Sequence, residues 1–538
     1  MKQKRRIVMA LILAMTVTFS FTACGGGDFD KTTFKIGSST TVDTLNPLSA
    51  YESSSYEVIE LVYDPLVRYD DSLEPEPCLA TDWKVSEDDL TWTFHLNQNA
   101  KWHDGEPVTS ADVKYTYELM MDTGLGYLYS AYLEGIDKIT CPDDYTVVMT
   151  TKEPKANMLM NTTPIIPQHI WKDVAEADLE TFANEEMIGS GPYKFVSNEN
   201  GVVKITKNAE YFGTQGKVEN LVFVEYKNTD SLAQALKIGE IDAAVNLSAT
   251  QYSQLEEDGN ITIIAGETLG FTQVGINCYE DSSSKGNPLL KDKTIRQAIE
   301  YSINKAQIIE MAYGGFAEEG TTMIIPSDFY HYQPSAAEMR SFNVDKAKEL
   351  LENAGYKDTD GDGIREDSKG NKLSFEFINI GDNADEVKTG QLIASTCKDA
   401  GIEIVQKTMD SGALQDAIDS ADYDMFMWGW GSDYDPTTIM GLLTTDQIGG
   451  NNEPKWSNSE YDRLFIHQQT VLDENQRQQE VYKMQQIVYD EAPYIILVYD
   501  NNIQAYRSDR WKGLEQIPEN GPYYFNMVIS NYINVEAK

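Results

Sequence analysis

Residues 79–117 read LATDWKVSEDDLTWTFHLNQNAKWHDGEPVTSADVKYTY, and the reading of this stretch decides the fold. Leu90 to Leu96 alternates in the period of a half-buried strand. Asn97 to Ala100 turns, Lys101-Trp102-His103 extends again, and Asp104-Gly105 turns back, which predicts a hairpin or meander. Thr109 or Ser110 then caps a helix running through Val113 and Tyr117. His103 and Asp104 beside Trp102 have the residue types of an acid/base or metal site. The Asp-Gly turn accounts for Asp104 without chemistry, and a structural role is expected for both.

Outward from this stretch, strands and helices alternate. Thr33 to Gly37 is an alternating strand, and Glu57 to Tyr63 is helix-like. Further on, Ile295, Ala298, Ile299, Ile303 and Ile308 predict one helix over Thr294 to Ala312. Asn343 caps a helix through Ala354, closed by Gly355. Leu373 to Phe377 alternates as a strand, a helix ends at Ala400–Gly401, and Ile402 to Ile404 is extended. A helix over Asp473 to Asp490 precedes the apolar strand Tyr494 to Val498. The pattern predicts an α/β protein.

The chain has 538 residues, enough for two or three domains, and a net charge of −43. Such a surface repels phosphate backbones and anionic head groups, which argues against nucleic-acid binding and a basic membrane face. Lys2, Lys4, Arg5 and Arg6 precede an apolar run, Ile7 to Phe19, that is too short to span a bilayer. Phe21-Thr22-Ala23-Cys24 resembles the lipobox of bacterial lipoproteins, with Phe21 where Leu is commoner. That resemblance implies a signal peptide over 1–23, lipidation at Cys24 and a flexible tether over 24–33. Cys78, Cys141, Cys278 and Cys397 show no C-x-x-C spacing; two bridges or four thiols are both open.

The run of a Trp, F-H-L and then W-H-D-G-x-P-x-T-x-x-D-V in 79–117 resembles the signature of the extracellular solute-binding proteins of family 5. That family includes oligopeptide- and dipeptide-binding subunits of ABC importers. Ile166-Pro167-Gln168-His169-Ile170-Trp171, Gly189-Ser190-Gly191-Pro192-Tyr193, Gly239-Glu240-Ile241-Asp242, Asn287-Pro288-Leu289, Ile295-Arg296-Gln297-Ala298 and Trp456-Ser457-Asn458 resemble it in the same order. The resemblance implies a two-lobed, periplasmic-binding-protein-like α/β clamshell with a discontinuous first lobe and an extra subdomain. Its expected parts are 34–60, 187–277 and 502–538 for the main part of lobe I, 61–186 for the subdomain, and 278–501 for lobe II. Two hinge crossings are expected near Gly275–Tyr279 and Tyr499–Asn502.

A second stretch bears on the ligand: Trp428-Gly429-Trp430-Gly431-Ser432-Asp433-Tyr434-Asp435-Pro436. It follows the strand-like run Tyr423 to Met427 and ends in Asp-Pro, where Asp435 can cap a helix opened by Pro436. A strand-to-helix turn of this kind is a usual place for a ligand cleft. Trp430-Gly431-Ser432-Asp433 matches the family segment W-x-x-D, whose acid pairs with a peptide's α-ammonium. The resemblance therefore implies that Asp433 holds the ligand, with Trp430 and Tyr499 as walls. Asn277, in the first expected crossing, is taken as a further ligand contact.

Other patterns weigh less. Ser302-Ile303-Asn304-Lys305 matches S-x-x-K and Lys388-Thr389-Gly390 matches K-T-G, but no S-D-N lies between them. The Ser sits in an amphipathic helix and Lys305 is expected in solvent, so the match reads as coincidence. Asp358-Thr359-Asp360-Gly361-Asp362-Gly363 resembles the start of a calcium loop, whose twelfth position here is Lys369 rather than Glu. Glu366 or Asp367 could substitute, yet an acidic Gly-rich turn is the simpler reading and no resident metal or cofactor is expected. The five histidines fall in no metal-ligand spacing.

The expected function is capture of extracellular peptides by a monomeric, lipid-anchored subunit that delivers them to an ABC permease and its ATPase. It would be no enzyme, and would work at the extracytoplasmic face of a bacterial membrane. The same scaffold holding an oligosaccharide or nickel chelate is the alternative, and a secreted hydrolase a more distant one.

Overall fold

The computed structural model describes residues 29–126, 129–268, 270–381, 383–431, 435–517, 525 and 529–538. The expected leader, Cys24 and Asp433 lie outside the described residues. Within them the protein is α/β, and twelve strands join in one mixed sheet. Its order by residue range is 403–409, 374–380, 425–431, 270–276, 494–506, 243–247, 33–38, 220–225, 202–207 and 193–199. Strands 262–267 and 317–319 also pair with 494–506.

The 13-residue strand Tyr494–Tyr506 serves both halves of this sheet. Its first part runs antiparallel to Gly270–Ile276, with Gly275 opposite Tyr494 and Thr272 opposite Val498. Its second part runs antiparallel to Thr262–Glu267, with Glu267 opposite Asn501 and Thr262 opposite Tyr506. Strands 262–267 and 270–276 are thus joined through one shared partner. Antiparallel register places strands 262–267 and 270–276 along successive parts of strand 494–506. Strand 270–276, which runs into the crossing expected near Gly275–Tyr279, pairs on its other edge with Met425–Gly431. It is buried along its whole length, as befits a central strand covered on both faces.

The cores divide the same way. One large cluster draws its buried residues from Phe34 to Ile264 and from Trp511 to Val535. Two others draw theirs only from residues between Phe271 and Tyr499. A separate antiparallel sheet of strands 80–85, 91–96, 146–151 and 136–143 lies within the region expected as a subdomain. Here Thr91–Leu96 pairs with Ala80–Val85 and with Thr146–Thr151, not with Lys101–His103, which makes only a bridge from Lys101 to Pro107. The Gly189-Ser190-Gly191 segment packs on the end of helix Ser53–Val62. A Cβ at Gly189 would stand 1.9 Å from the Val62 carbonyl oxygen, so no other residue fits.

The helix cap read from the sequence holds at Asn343, whose side chain accepts from the Lys346 N–H; Asp473, read only as the start of a helix, caps it by accepting from the Gln476 N–H. The helix expected over Thr294–Ala312 is two, Lys293–Ser302 and Lys305–Met311. Asn304 caps the second by accepting from the Gln307 N–H at 3.0 Å, which the apolar period through Ile303 conceals. Lys305 is not solvated as expected. It is buried, 2.7 Å from the Gly320 carbonyl and 3.3 Å from Glu300, which also binds Arg340. Ser302 is buried with its hydroxyl donating to the Ala298 carbonyl at 2.7 Å. The four described cysteines are free thiols.

Candidate functional site

Strand Met425–Gly431 changes character along its length. Met425, Phe426 and Met427 are buried; then Trp428 and Trp430 are half-buried and Gly429 and Gly431 exposed. Parallel pairing with Ser374–Ile380 is confined to Phe377 with Met425 and Ile378 with Phe426. Pairing with Gly270–Ile276 on the opposite edge continues to the last residue, Gly431 opposite Gly270. The strand therefore runs on past its parallel partner, with small residues alternating with indoles.

Trp430 is fixed from below. Its indole N–H donates to Glu453 Oε2 at 3.2 Å, and the Tyr494 hydroxyl donates to the same oxygen at 2.7 Å. The Tyr423 hydroxyl donates to the Glu453 main-chain carbonyl. Glu453 is only 4% exposed. Burial pushes its carboxyl up to about 7, while the Tyr494 and Trp430 hydrogen bonds hold it down. Sequence reasoning missed Glu453 and Tyr494. Asn451-Asn452-Glu453-Pro454 is a turn-like run without periodicity, and the contacts span 23 and 41 residues.

Asp435 caps helix Pro436–Gly441 as read from the sequence, accepting from the Thr437 N–H at 2.8 Å. It does more than cap. Arg477 Nη2 lies 3.1 Å and 2.9 Å from its two oxygens, both contacts buried, and 2.9 Å from the half-buried Thr437 hydroxyl. Burial draws the Arg477 guanidinium down, and the Asp435 carboxylate outweighs it, leaving a cation held above its ordinary range.

Two clefts flank this region. One, of 1060 Å³, lies between Tyr132–Asn157 and Thr437–Thr470. The other, of 570 Å³, lies between Ser72–Met160 and Ser327–Arg477. Between them the Ala156 N–H donates to the Gln469 carbonyl at 2.8 Å, a main-chain bond across the gap. Lys155 stands on this bridge. Burial brings its ammonium down to about 8, against the pull of Asp435 and Glu134. No motif marked Lys155 or Arg477.

The remaining expected ligand contacts sit elsewhere. Tyr499 is fully buried; its hydroxyl donates to the Thr322 carbonyl at 2.7 Å and accepts from the N–H groups of Thr321 and Thr322. Asn277 is buried too. Its amide donates to the carbonyls of Ala421 and Tyr423, and its oxygen accepts from the Tyr279 N–H at 3.1 Å. Both side chains are buried with their polar atoms committed to the framework, a departure from the expectation of Tyr499 as a wall and Asn277 as a ligand contact. Trp430 alone of the described expected contacts stands at the strand end that leads to Asp433. His103, as expected, is structural: it accepts from the Gly189 N–H and faces the Gly191 carbonyl at 3.1 Å, and burial brings it down to about 4.

Comparison with known proteins places this geometry. The chain is 26% identical over 526 residues to the oligopeptide-binding protein AppA of Bacillus subtilis (strain 168), covering 94% of this chain and 95% of AppA. Its fold matches the structure of AppA in complex with a nonapeptide at a TM-score of 0.73, with 24% identity, over 94% of this chain and 99% of that one. It also matches an oligopeptide-binding protein of Thermotoga maritima with mannohexaose bound at a TM-score of 0.72, with 22% identity, over 95% and 100% of the two chains. The fold is that of the periplasmic binding proteins. Residues 74–451 match the family described as bacterial extracellular solute-binding proteins, family 5 Middle. With well over half of its length inside that match, the chain belongs to the bacterial extracellular solute-binding proteins of family 5.

Proposed function

We propose that this protein captures extracellular peptides between two lobes and delivers them to a membrane permease of an ABC transporter. The observation that carries the reading is the run of Trp428–Gly431 beyond Phe426, which among the described residues is paired on one edge only. A peptide main chain can add to such an edge through strand-like hydrogen bonds that ignore side-chain identity. Trp430, held by Glu453, forms a fixed wall beside it. Asp433, two residues past the strand, pairs with the peptide's α-ammonium, since a cation withdrawn from water needs an opposed carboxylate. The 262–276 and 494–506 ribbon serves as the hinge on which the lobes close.

Cys24 carries the lipid anchor, and the protein works as a monomer at the extracytoplasmic face of the membrane. Among the described residues no helix is long and apolar enough to cross it. The protein performs no catalysis of its own. Its Ser302 hydroxyl is committed to a main-chain carbonyl and buried, which supports this against a serine hydrolase. Peptides are favoured over nickel chelates because every histidine is already engaged: His95, His169 and His467 with carboxylates, His103 and His331 with main chain.

The test is titration calorimetry with one peptide in free and N-acetylated form. Wild type should bind the free peptide at least about tenfold tighter, a difference of about 1.4 kcal/mol. Asp433→Ala should abolish the difference. An Asp433→Ala protein that still prefers the free terminus overturns the ammonium pairing. Preference for mannohexaose over any peptide overturns the peptide reading.

A further inference from the structure

The loop between helix Val344–Asn353 and strand Ser374–Ile380 lies apart from both clefts. It brings one carboxylate oxygen each of Asp358, Asp360, Asp362 and Glu366 to within 4.8 Å of one another. Opposed ligands of a calcium ion at 2.3–2.6 Å stand about 4.6–5.2 Å apart, whereas octahedral magnesium at 2.0–2.1 Å draws them to about 4.2 Å. A limit of 4.8 Å accommodates either ion, and the choice between them rests on the loop pattern.

Acids alone on a loop are ordinary, and three of these four are exposed. Glu366 is different. It is 3% exposed, and its Oε1 has no hydrogen-bond partner among the described residues. The other oxygen accepts from the Thr359 N–H at 2.9 Å and the Thr359 hydroxyl at 3.0 Å, which fixes the carboxylate plane. The main chain of Glu366 is held between Lys357 and Lys372 by two antiparallel bridges. A buried carboxylate oxygen left without a donor is costly unless a cation meets it.

The backbone suits the same reading. Counted from Asp358, the acids at 360 and 362 fall on the third and fifth positions of a calcium loop, and Gly363 on the sixth. Gly363 has φ +92°, the left-handed turn that this position requires. Asp358 accepts from the N–H groups of Gly361 and Gly363 at 2.7 and 3.1 Å, so the loop is already wound around its acids. Lys372 bridges Asp360 and Asp362 with its ammonium. A single positive charge thus occupies part of the ground that a divalent ion would take, on a side chain exposed enough to swing away.

We propose that Asp358, Asp360, Asp362 and Glu366 bind one calcium ion, with Glu366 at the ninth position replacing the missing acid at Lys369 and Lys372 as a built-in competitor. The ion would pin the loop that joins the helix to the strand, remote from the captured cargo.

The test is titration of calcium chloride into the full-length protein after chelator treatment, by calorimetry and thermal melting, with magnesium chloride as comparison. One site is expected, with calcium at least about tenfold tighter than magnesium. Glu366→Gln should weaken calcium at least tenfold, with its melting temperature in chelator no lower than that of wild type. Lys372→Gln should tighten calcium several-fold while lowering the chelator melting temperature. Absence of a heat and of a melting shift at millimolar calcium overturns the proposal. So does Glu366→Gln binding like wild type, magnesium binding as tightly as calcium, or Lys372→Gln weakening the ion.

Discussion

Two stretches of this chain are built from the same residues, Trp, Gly and Asp in quick succession, and fold to opposite ends. In Trp102-His103-Asp104-Gly105 the N–H groups of Trp102, His103 and Gly105 and the side chains of His103 and Asp104 all find partners within the fold. Trp102 is 2% exposed, the His103 N–H donates to the Gly189 carbonyl at 2.8 Å, and Asp104 holds His169 at 2.8 Å. Asp112, where the next helix opens, accepts from the Thr109 N–H at 2.8 Å and the Gln168 N–H at 2.9 Å. In Trp428-Gly429-Trp430-Gly431 the indoles are only half-buried, and the glycines lie in the open past the strand's parallel partner. Composition does not separate framework from site; what separates them is whether the neighbouring chain satisfies the main chain or leaves it reaching outward.

The largest way to break this contrast lies at the end of the second stretch. Asp435→Ala strips a buried guanidinium of its partner and a helix of its cap. The expected loss is about 3–5 kcal/mol of stability by denaturant titration. A loss under about 1 kcal/mol would mean that Asp435 belongs to the site and not the frame. A subtler effect comes from Glu453, which supports Trp430. Its folded carboxyl, near 7, lies above the ordinary 4.5, so the folded protein holds a proton that the unfolded chain releases. That contribution is full below about pH 4.5 and disappears as pH rises through 7, with a limiting slope of about 1.4 kcal/mol per pH unit. Glu453→Gln should flatten this part of the stability profile, and should remove a tryptophan-fluorescence transition near pH 7. An unchanged profile would break the link between the carboxyl and the indole. The smallest expected effect is the sharpest. A Cβ at Gly429 meets nothing closer than the Phe271 carbonyl oxygen at 3.4 Å, so Gly429→Ala should leave the melting temperature unchanged. If cargo runs along that edge, its affinity should fall several-fold by calorimetry; equal affinity would place the cargo elsewhere.

The elements that depend on neighbours in sequence were legible. Asn343 and Asp435 are caps because a cap needs only its own next turn. The break at Asn304 was hidden because Ile303 and Ile308 keep the apolar period across it. The site was legible as a place and not as a set of partners. Asp435 and Trp430 could be picked out, while Arg477, Glu453 and Lys155 come from far along the chain and carry no local mark. Tyr499 and Asn277 show the converse: polar residues near a crossing look available, and only long-range packing reveals that the Thr321–Thr322 and Ala421–Tyr423 main chains occupy them.

The strand Tyr494–Tyr506 has a thermodynamic corollary. Because one unbroken ribbon lends hydrogen bonds to both halves, neither can melt without stripping the edge of the other. Calorimetry should accordingly register a single endotherm whose van't Hoff and measured enthalpies coincide, in spite of several separate cores.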